Sequence, residues 1–449
     1  MSALLSNPKR LFNYIALFVL FLNFTNIYTI LSGVLNIPFR YLSIGMMVIL
    51  SLNVLVNLNI FLQVFKNKIF WFFLIVFCLI PAVGVVISPY TILRYFGYYI
   101  LSGLLFVNAC MFIYGEGSHL FKKAILASFI IALTGLILSY YFPWFFAKAF
   151  ALKAAAEGAY GVWDQVQLGA SVHSRAFGFY LQPNVAYTAV LFQLIILITT
   201  YFNRNLMARC LLYISTLYVI LLTGSRGGLI MFIVFLTTVV LSEIFGGYRN
   251  QLNIKKSFFG VAHYYILLAF CGLFIVFAYE FFLQDAKNSL MNRFFLTFFN
   301  SSNQFALDND VSLFYRLNNQ LEYIVLISKN PISLLVGFGT GASAWFRFTG
   351  EISGVSHNNF LEKTFSHGLI VSVSMYGMFL YLLKSKASKL FHKQYGYNIS
   401  LIITICIFVQ TFTINTLFSY RLFPVLVAFW LMALYFPNDR SQKRLAPRP

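Results

Sequence analysis

Long apolar runs, broken by short polar segments, dominate this sequence from end to end. A helix that crosses a hydrocarbon core of roughly 30 Å needs about 20 apolar residues, and runs of that length recur along the chain. Lipid also requires backbone polar groups to be paired within the span, which favours helices. The pattern predicts an all-α polytopic membrane protein with about twelve transmembrane helices. The predicted spans are 11–31, 41–64, 69–87, 94–114, 124–142, 184–202, 207–223, 227–245, 259–283, 358–383, 398–416 and 421–437.

The polar segments divide these spans into five regions. Two outer loops are larger than the rest, and loops of this length in a compact protein are usually functional. The first span follows two basic residues, as a signal peptide would, but no small-residue cleavage site follows, so we interpret it as a retained anchor. The regions are spans 1 to 5 in 1–142, the first outer loop in 143–183, spans 6 to 9 in 184–283, the second outer loop in 284–357, and spans 10 to 12 with a basic tail in 358–449.

Composition agrees with a lipid environment, since 60% of the residues are hydrophobic and 10% are charged, against roughly 25% charged in soluble domains. The formal net charge of +20 raises the question of a nucleic-acid partner. With both termini on the cytoplasmic side, most Lys and Arg residues fall on the short inner segments, which is the positive-inside pattern. The charge is therefore topological, and no nucleic-acid partner is predicted.

A tight hairpin is predicted around residues 223–228, TGSRGG. Residues 210–242 contain a single charged residue, Arg226, within an apolar run too long for one span. Glycines on both sides of this arginine favour a turn. Arg226 then lies at the hairpin tip, on the outer face.

Arginine, rather than lysine, predominates among the basic residues of the predicted outer side. Guanidinium groups bind phosphate with two parallel hydrogen bonds, so arginines at span ends suit a diphosphate held at the lipid surface. Snorkelling side chains and loop ion pairs are the alternative for each of them. The outer arginines are Arg40, Arg94, Arg175, Arg226, Arg293, Arg316, Arg347 and Arg421.

Two sequence patterns resemble metal-binding motifs, but neither is predicted to hold a metal. Asp308 and Asp310 form a D-x-D pair, which holds a divalent metal in nucleotide-sugar transferases, but they fall on the predicted outer side, away from cytoplasmic nucleotide sugars. His357, Glu362 and His367 are spaced five apart, so they do not share a helix face and do not predict a zinc site.

Glycine and cysteine patterns add no cofactor site. The glycines at 337, 339 and 341 lack the lysine of a phosphate-binding P-loop, and we interpret them as a turn that lets backbone approach a lipid head group. The five cysteines lie in or beside apolar spans without paired spacing. They are interpreted as core residues rather than disulfides or nucleophiles.

Four local patterns, taken in order on a protein of about twelve spans, resemble the superfamily of O-antigen ligases and O-antigen polymerases. The resemblance covers residues 175–370, while the amino-terminal third contributes only hydropathy. The patterns are RAFGFYLQPN at 175–184, LTGSRGG at 222–228, YRLNNQLEYIVLISKNPISLLVGFGTG at 315–341 and SHNNFLEKTFSHGLI at 356–370.

The resemblance implies a metal-independent enzyme without cofactors on the periplasmic face of a bacterial inner membrane, with undecaprenyl-diphosphate-linked glycan as donor. It carries catalytic roles to His357, Arg226 and Arg316, with Arg175 and Arg347 as further diphosphate-binding candidates. Arginines can stabilise the departing diphosphate, and a histidine can accept the proton of the acceptor hydroxyl. For His357, a helix-start residue bonded to backbone is the alternative.

The expected function is that of an O-antigen or related polysaccharide polymerase, whose acceptor is a second lipid-linked repeat unit. Charge in both outer loops favours a polymerase, which must hold two lipid-linked substrates. The histidine motif resembles the ligase, whose acceptor is lipid A core. A transporter or flippase for lipid-linked sugars is a more remote alternative. Few acids occur within the spans, which disfavours an ion-coupled transporter.

Overall fold

A computed structural model of the chain describes residues 8–35, 37–87, 94–115, 118–142, 146, 176–180, 183–201, 206–249, 311–354, 356–395, 398–411 and 422–436. Within these ranges every regular element is helical, and no strand occurs. The all-α class predicted from the apolar pattern is confirmed for this part of the chain.

The amino-terminal helices form a group held by apolar and amide contacts. The helices are α1 Pro8–Thr25, α2 Tyr28–Val34, α3 Phe39–Val56, α4 Leu58–Val64, α5 Lys68–Leu74, α6 Ile80–Ile87, α7 Arg94–Tyr114 and α8 Ser118–Tyr141. α3 and α4 meet at 84°. The bend lies at Asn57, whose side chain donates to Asn13 Oδ1 at 2.8 Å. A π-helical turn at Ile75–Leu79 joins α5 to α6.

The described middle of the chain contains the helices α9 Pro183–Ile196, α10 Leu206–Thr223 and α11 Arg226–Arg249. A 3₁₀ turn at Gly178–Tyr180 precedes α9, and a π-helical turn at Leu197–Tyr201 follows it. α10 and α11 are joined by only two residues, so they form the hairpin that the sequence predicts.

The carboxy-terminal helices begin inside the predicted second outer loop. The described part of that loop is therefore largely helical. The helices are α12 Val311–Lys329, α13 Pro331–Val336, α14 Ala342–Phe348, α15 Asn359–Lys384, α16 Lys386–Tyr395, α17 Ile399–Thr411 and α18 Leu422–Tyr435. α13 begins after Asn330, whose side chain accepts from Ser333 N. Pro331 occupies the first helical position, where no amide hydrogen is needed.

Fewer helices meet the requirements of a membrane span than the twelve predicted. By length and composition, four stretches of the described chain could cross a membrane, or five if the bent pair α3–α4 is one span. The four are Lys68–Val86, Phe96–Tyr114, Leu120–Tyr141 and Asn359–Lys384. Shorter apolar helices of 10–17 residues cover the predicted spans from 184 to 245 and after 398. The predicted span 259–283 lies outside the described residues.

The predicted tenth span, 358–383, is not one straight helix. Gly368 interrupts α15 with φ 83° and ψ 167°. A straight helix would place Asn359 and Tyr376 about 25 Å apart, yet Asn359 Nδ2 donates to Tyr376 Oη at 3.1 Å. Residues 359–367, here called the half-helix, therefore fold back against the longer part of α15. Apolar periodicity does not reveal such a reversal at a single glycine.

The glycine-rich segment after α13 supports this reversal. Phe338 N donates to Phe365 O at 2.7 Å and Gly339 N donates to Ser366 O at 3.0 Å, so two carbonyls at the end of the half-helix are satisfied. A Cβ at Gly368 would overlap Leu335 O, and one at Gly337 would overlap the backbone of 366–368. Gly337, Gly339 and Gly341 all have positive φ, which confirms the predicted turn.

Candidate functional site

The hairpin tip has a capped helix start. Gly224 has φ 57°, a conformation that glycine adopts readily, and ends the turn after α10. Ser225 caps α11, because its Oγ accepts from Gly228 N at 3.2 Å. Arg226 is the first residue of α11. Its backbone therefore lies at the predicted tip, while its side chain lies outside the described part of the structure.

The segment before α9 contacts this tip. Ala176 N donates to Leu222 O at 2.9 Å, and Ser225 Oγ donates to Asn184 Oδ1 at 3.0 Å. Gly228 has no room for a Cβ beside the Tyr187 ring. The structure thus brings together the first two sequence motifs. Arg175, the arginine of the first motif, lies outside the described residues.

The third and fourth motifs also meet, through an acidic clamp on the loop before α15. Glu322 of α12 accepts from Ser353 N at 2.7 Å and from Ser353 Oγ at 2.9 Å. Asn319 Oδ1 lies 2.9 Å from the same hydroxyl oxygen, so it competes with Glu322 for its single hydrogen. A Cβ at Gly354 would overlap the Asn319 amide. These bonds tie α12, which carries Arg316, to the loop that leads to His357.

His357 stands immediately before the start of α15, in a constrained turn. Its φ is 51°, which is uncommon for a residue other than glycine. Asn358 is the helix cap and accepts from Leu361 N at 3.1 Å. Ser356 Oγ donates to Asn358 O at 3.0 Å and to Glu362 Oε2 at 3.3 Å. The ring of His357, in contrast, makes no hydrogen bond to a described residue. The alternative of a histidine bonded to backbone therefore finds no support in the described contacts.

Arg316 acts electrostatically on His357. Burial of the imidazole and, second, the positive charge of Arg316 lower the pKa of His357 from 6.5 to about 4. The ring is half-buried. His357 is thus uncharged at neutral pH, and a positive group stands beside a ring that can accept a proton.

Arg347 lies at the edge of this arrangement. Its side chain is exposed, and its Nε donates to Ser343 O at 3.1 Å. Burial and then the charge of Glu362 raise the pKa of Tyr323, while the charge of Arg347 lowers it. Arg347 and Glu362 therefore both lie near the Tyr323 hydroxyl. This geometry leaves Arg347 accessible to a ligand without pairing it with His357.

The two motif pairs are connected by α17. Gln410 donates to Thr188 Oγ1 of α9, and the adjacent Thr411 shares a 2.8 Å hydrogen bond with Tyr376. Tyr376 accepts from Asn359 of the half-helix. A polar path thus runs from α9, whose start contacts the hairpin tip, to the start of α15.

The described residues contain no candidate metal-binding site. No group of three His, Cys, Asp or Glu side chains that could hold a metal occurs there. Asp308 and Asp310 lie outside the described residues. His357 and His367 are on different sides of the half-helix, since His367 contacts Thr340 and Tyr99 while His357 is influenced by Arg316.

Sequence reasoning did not single out Lys363 or Glu322. Lys363 is 4% exposed, although lysine is rarely buried. The signal was the four-residue spacing of Asn359, Lys363 and His367, which places them along one side of a helix.

Comparison with known proteins yields no identification. No protein-family model matches the chain, and no curated protein matches it. The resemblance of the four motifs therefore stays a prediction.

Proposed function

We propose that this protein is a membrane glycosyltransferase that takes glycan from undecaprenyl diphosphate at the periplasmic face. The observation that carries the proposal is that the bonds of Ser353 tie the helix of Arg316 to the loop that leads to His357, and the charge of Arg316 contributes to the lowered pKa of that histidine. A glycosyl diphosphate already has a good leaving group. The reaction therefore needs a base for the acceptor and cations for the departing diphosphate, without a metal.

The proposed step is a single displacement at the anomeric carbon. The acceptor hydroxyl oxygen attacks this carbon while its proton passes to a ring nitrogen of His357. The bond from the anomeric carbon to the diphosphate oxygen breaks, and both electrons leave with undecaprenyl diphosphate. Arg316 and Arg226 stabilise the charge on the leaving group, with Arg175 and Arg347 as further contacts.

Donor binding also strengthens the base. A pKa of about 4 makes free His357 a weak proton acceptor. A bound diphosphate offsets the charge of Arg316, and nearby negative charge favours the imidazolium. The pKa of His357 is then expected to rise in the donor complex, where a base is needed.

The proposed topology has about twelve spans, both termini in the cytoplasm and the site outside. Exposed apolar side chains on α12 and α13 support lipid contact near the site: Leu321 is 59% exposed and Ile332 is 72% exposed. Labelling of a cysteine introduced at Ser225 in intact cells tests the sidedness. Labelling only after the inner membrane is opened would reverse the topology.

Polymerase is our first choice because charge in both outer loops can hold two lipid-linked substrates. Ligase is the second, and the His357 motif favours it. Deletion of the gene in its host separates them. A polymerase deletion leaves lipopolysaccharide core with a single repeat unit, whereas a ligase deletion leaves bare core while polymer accumulates on the carrier.

Purified protein in detergent, given lipid-linked donor and acceptor, tests the class of activity. Covalent product without a sealed bilayer excludes a pure transporter or flippase. Product from wild type but not from well-folded His357→Ala protein supports the proposed base. Equal product from both would remove His357 from the mechanism.

A further inference from the structure

The half-helix has a second polar side that the proposed transfer reaction does not use. Asn359, Lys363 and His367 follow one another at four-residue intervals, and their exposed fractions are 0%, 4% and 6%. Lys363 and His367 both contact Tyr99 of α7, and Thr340, beside His367, bonds to Pro81 of α6.

Lys363 is a buried cation with one hydrogen-bond acceptor. Its Nζ donates to Tyr99 Oη at 3.2 Å. An ammonium group has three hydrogens, so two remain to be satisfied. No acidic side chain of the described chain pairs with Lys363, and its neighbour Glu362 accepts instead from Ser356. A buried charge without a counter-charge is costly, so its presence calls for an explanation.

His367 is oriented so that one ring nitrogen remains open. Thr340 Oγ1 donates to Pro81 O at 3.0 Å, and the same oxygen lies 3.3 Å from His367 Nδ1. The single hydroxyl hydrogen is used on Pro81, so Nδ1 must carry the hydrogen between it and Thr340. Nε2 of the uncharged ring is then an acceptor, and it is buried without a hydrogen-bond partner in the described chain.

A further open polar atom lies on the same side of the half-helix. Asn359 Oδ1 is also buried and without a partner among the described residues. The reversal at Gly368 begins the longer part of α15 directly after His367. Broken helices of this kind form anion sites in membrane proteins.

We propose that Lys363 and His367 form a buried site for a phosphate group, separate from Arg316 and His357. A phosphate oxygen accepts from the Lys363 ammonium, and a protonated phosphate oxygen donates to His367 Nε2. Phosphate supplies both kinds of oxygen near neutral pH. Water could satisfy the hydrogen bonds, but it would leave the buried charge of Lys363 without a counter-charge.

Binding of inorganic pyrophosphate to purified protein in detergent tests the site, at an ionic strength held constant with potassium chloride. Arg316→Gln serves as the background, because it removes one cation of the proposed transfer site and so weakens that site. In this background pyrophosphate should still bind, and adding Lys363→Gln should weaken its affinity about tenfold or more. Lys384→Gln removes the same charge from the exposed end of α15 and should change nothing.

Two outcomes would overturn the proposal. One is complete loss of pyrophosphate binding in Arg316→Gln alone, and the other is unchanged affinity after Lys363→Gln. If Lys363→Gln does not fold, His367→Gln provides the second test and should weaken binding, while Lys363→Arg should retain it. The measurement uses neither donor nor acceptor glycan, so its result is independent of the transferase proposal.

The phosphate could be the terminal phosphate of the free carrier diphosphate or the head group of phosphatidic acid, because both keep a protonated oxygen near neutral pH, which a phosphodiester lacks. Nanodiscs of phosphatidic acid, compared with phosphatidylcholine, distinguish them. If phosphatidic acid weakens pyrophosphate binding through Lys363, the head group occupies the site. If affinity is equal in both discs, the site selects the diphosphate. Unmeasurable binding in both discs, with protein that binds in detergent, would count against a membrane-accessible site.

Discussion

The two sides of the half-helix differ in the surroundings of a histidine and a cation: His357, which precedes the half-helix, is influenced by Arg316, and His367, its last residue, is influenced by Lys363. His357 and Arg316 lie where the chain is partly exposed, and Glu322 and Glu362 hold the adjoining loops. Lys363 and His367 are almost fully buried, and the described residues offer them hydroxyls rather than carboxylates. The first pair can exchange protons with incoming substrate. The second keeps a charge in an apolar setting, where an anion is the fitting counterpart.

Gly368 supports both pairs, so its substitution has the largest expected effect. Gly368→Ala places a Cβ onto Leu335 O and forces alanine into a left-handed conformation. We expect destabilisation on the order of 3 kcal/mol or more, with loss of transfer and of pyrophosphate binding together. Thermal unfolding in detergent measures it. Gly377→Ala is the matched control in the same helix, since nothing lies within 4 Å of its Cβ. Equal melting temperatures for the two variants would contradict the reversal.

His357→Ala should lower the transfer activity without changing pyrophosphate binding on the Lys363 side of the half-helix. Removal of a general base should lower transfer by about 10² to 10⁴-fold, while pyrophosphate binding through Lys363 persists. Initial rates with lipid-linked donor give the first quantity and calorimetry the second. His392→Ala, in α16, is the control for loss of a histidine elsewhere. A combined loss of transfer and binding would mean that the two sides are one site.

The helical class and the hairpin could be predicted because they depend on local patterns. Apolar run length gives helices, and glycines around Arg226 give the turn. The four-residue spacing could have indicated the Lys363–His367 side, but not its partners, since Thr340, Pro81 and Tyr99 reach it from distant parts of the chain. The reversal at Gly368 was missed for a similar reason. Its carbonyls are satisfied by residues 338–339 rather than by the helix itself.

Arg316→Lys keeps the charge but loses the planar fork that binds two phosphate oxygens. We expect kcat/KM to fall about 10 to 10²-fold, mostly through weaker stabilisation of the leaving diphosphate. Lys329→Arg, at the end of the same helix, should have little effect. Wild-type kcat/KM in Arg316→Lys would show that only a positive charge is required there.

The pH dependence of kcat/KM reports the free enzyme, so it tests the electrostatic coupling of His357 to Arg316. With a pKa of about 4, His357 should remain unprotonated from pH 7.5 to 5, and kcat/KM should fall only as pH approaches 4. Arg316→Gln removes a charge that disfavours the imidazolium, so the pKa rises and the decline begins at higher pH. Identical profiles for the two proteins would argue against the coupling.

The smallest expected effect concerns the clamp that holds the His357 loop. Glu322→Ala removes the acceptor for Ser353 N and Ser353 Oγ, so the loop gains freedom while His357 keeps its chemistry. Because Glu322 is only partly buried, solvent replaces some of these bonds, and we expect a loss of about threefold to tenfold in kcat/KM. Glu322→Gln retains one carbonyl acceptor and should recover part of that loss. Glu351→Ala removes an exposed carboxylate from the same loop and is the control.

Because a displaced loop moves the ring away from Arg316, Glu322→Ala should also shift the acid limb of the pH profile upward, which a loss of stability alone would not do. A lower rate with an unchanged acid limb would assign Glu322 to folding rather than to the positioning of His357.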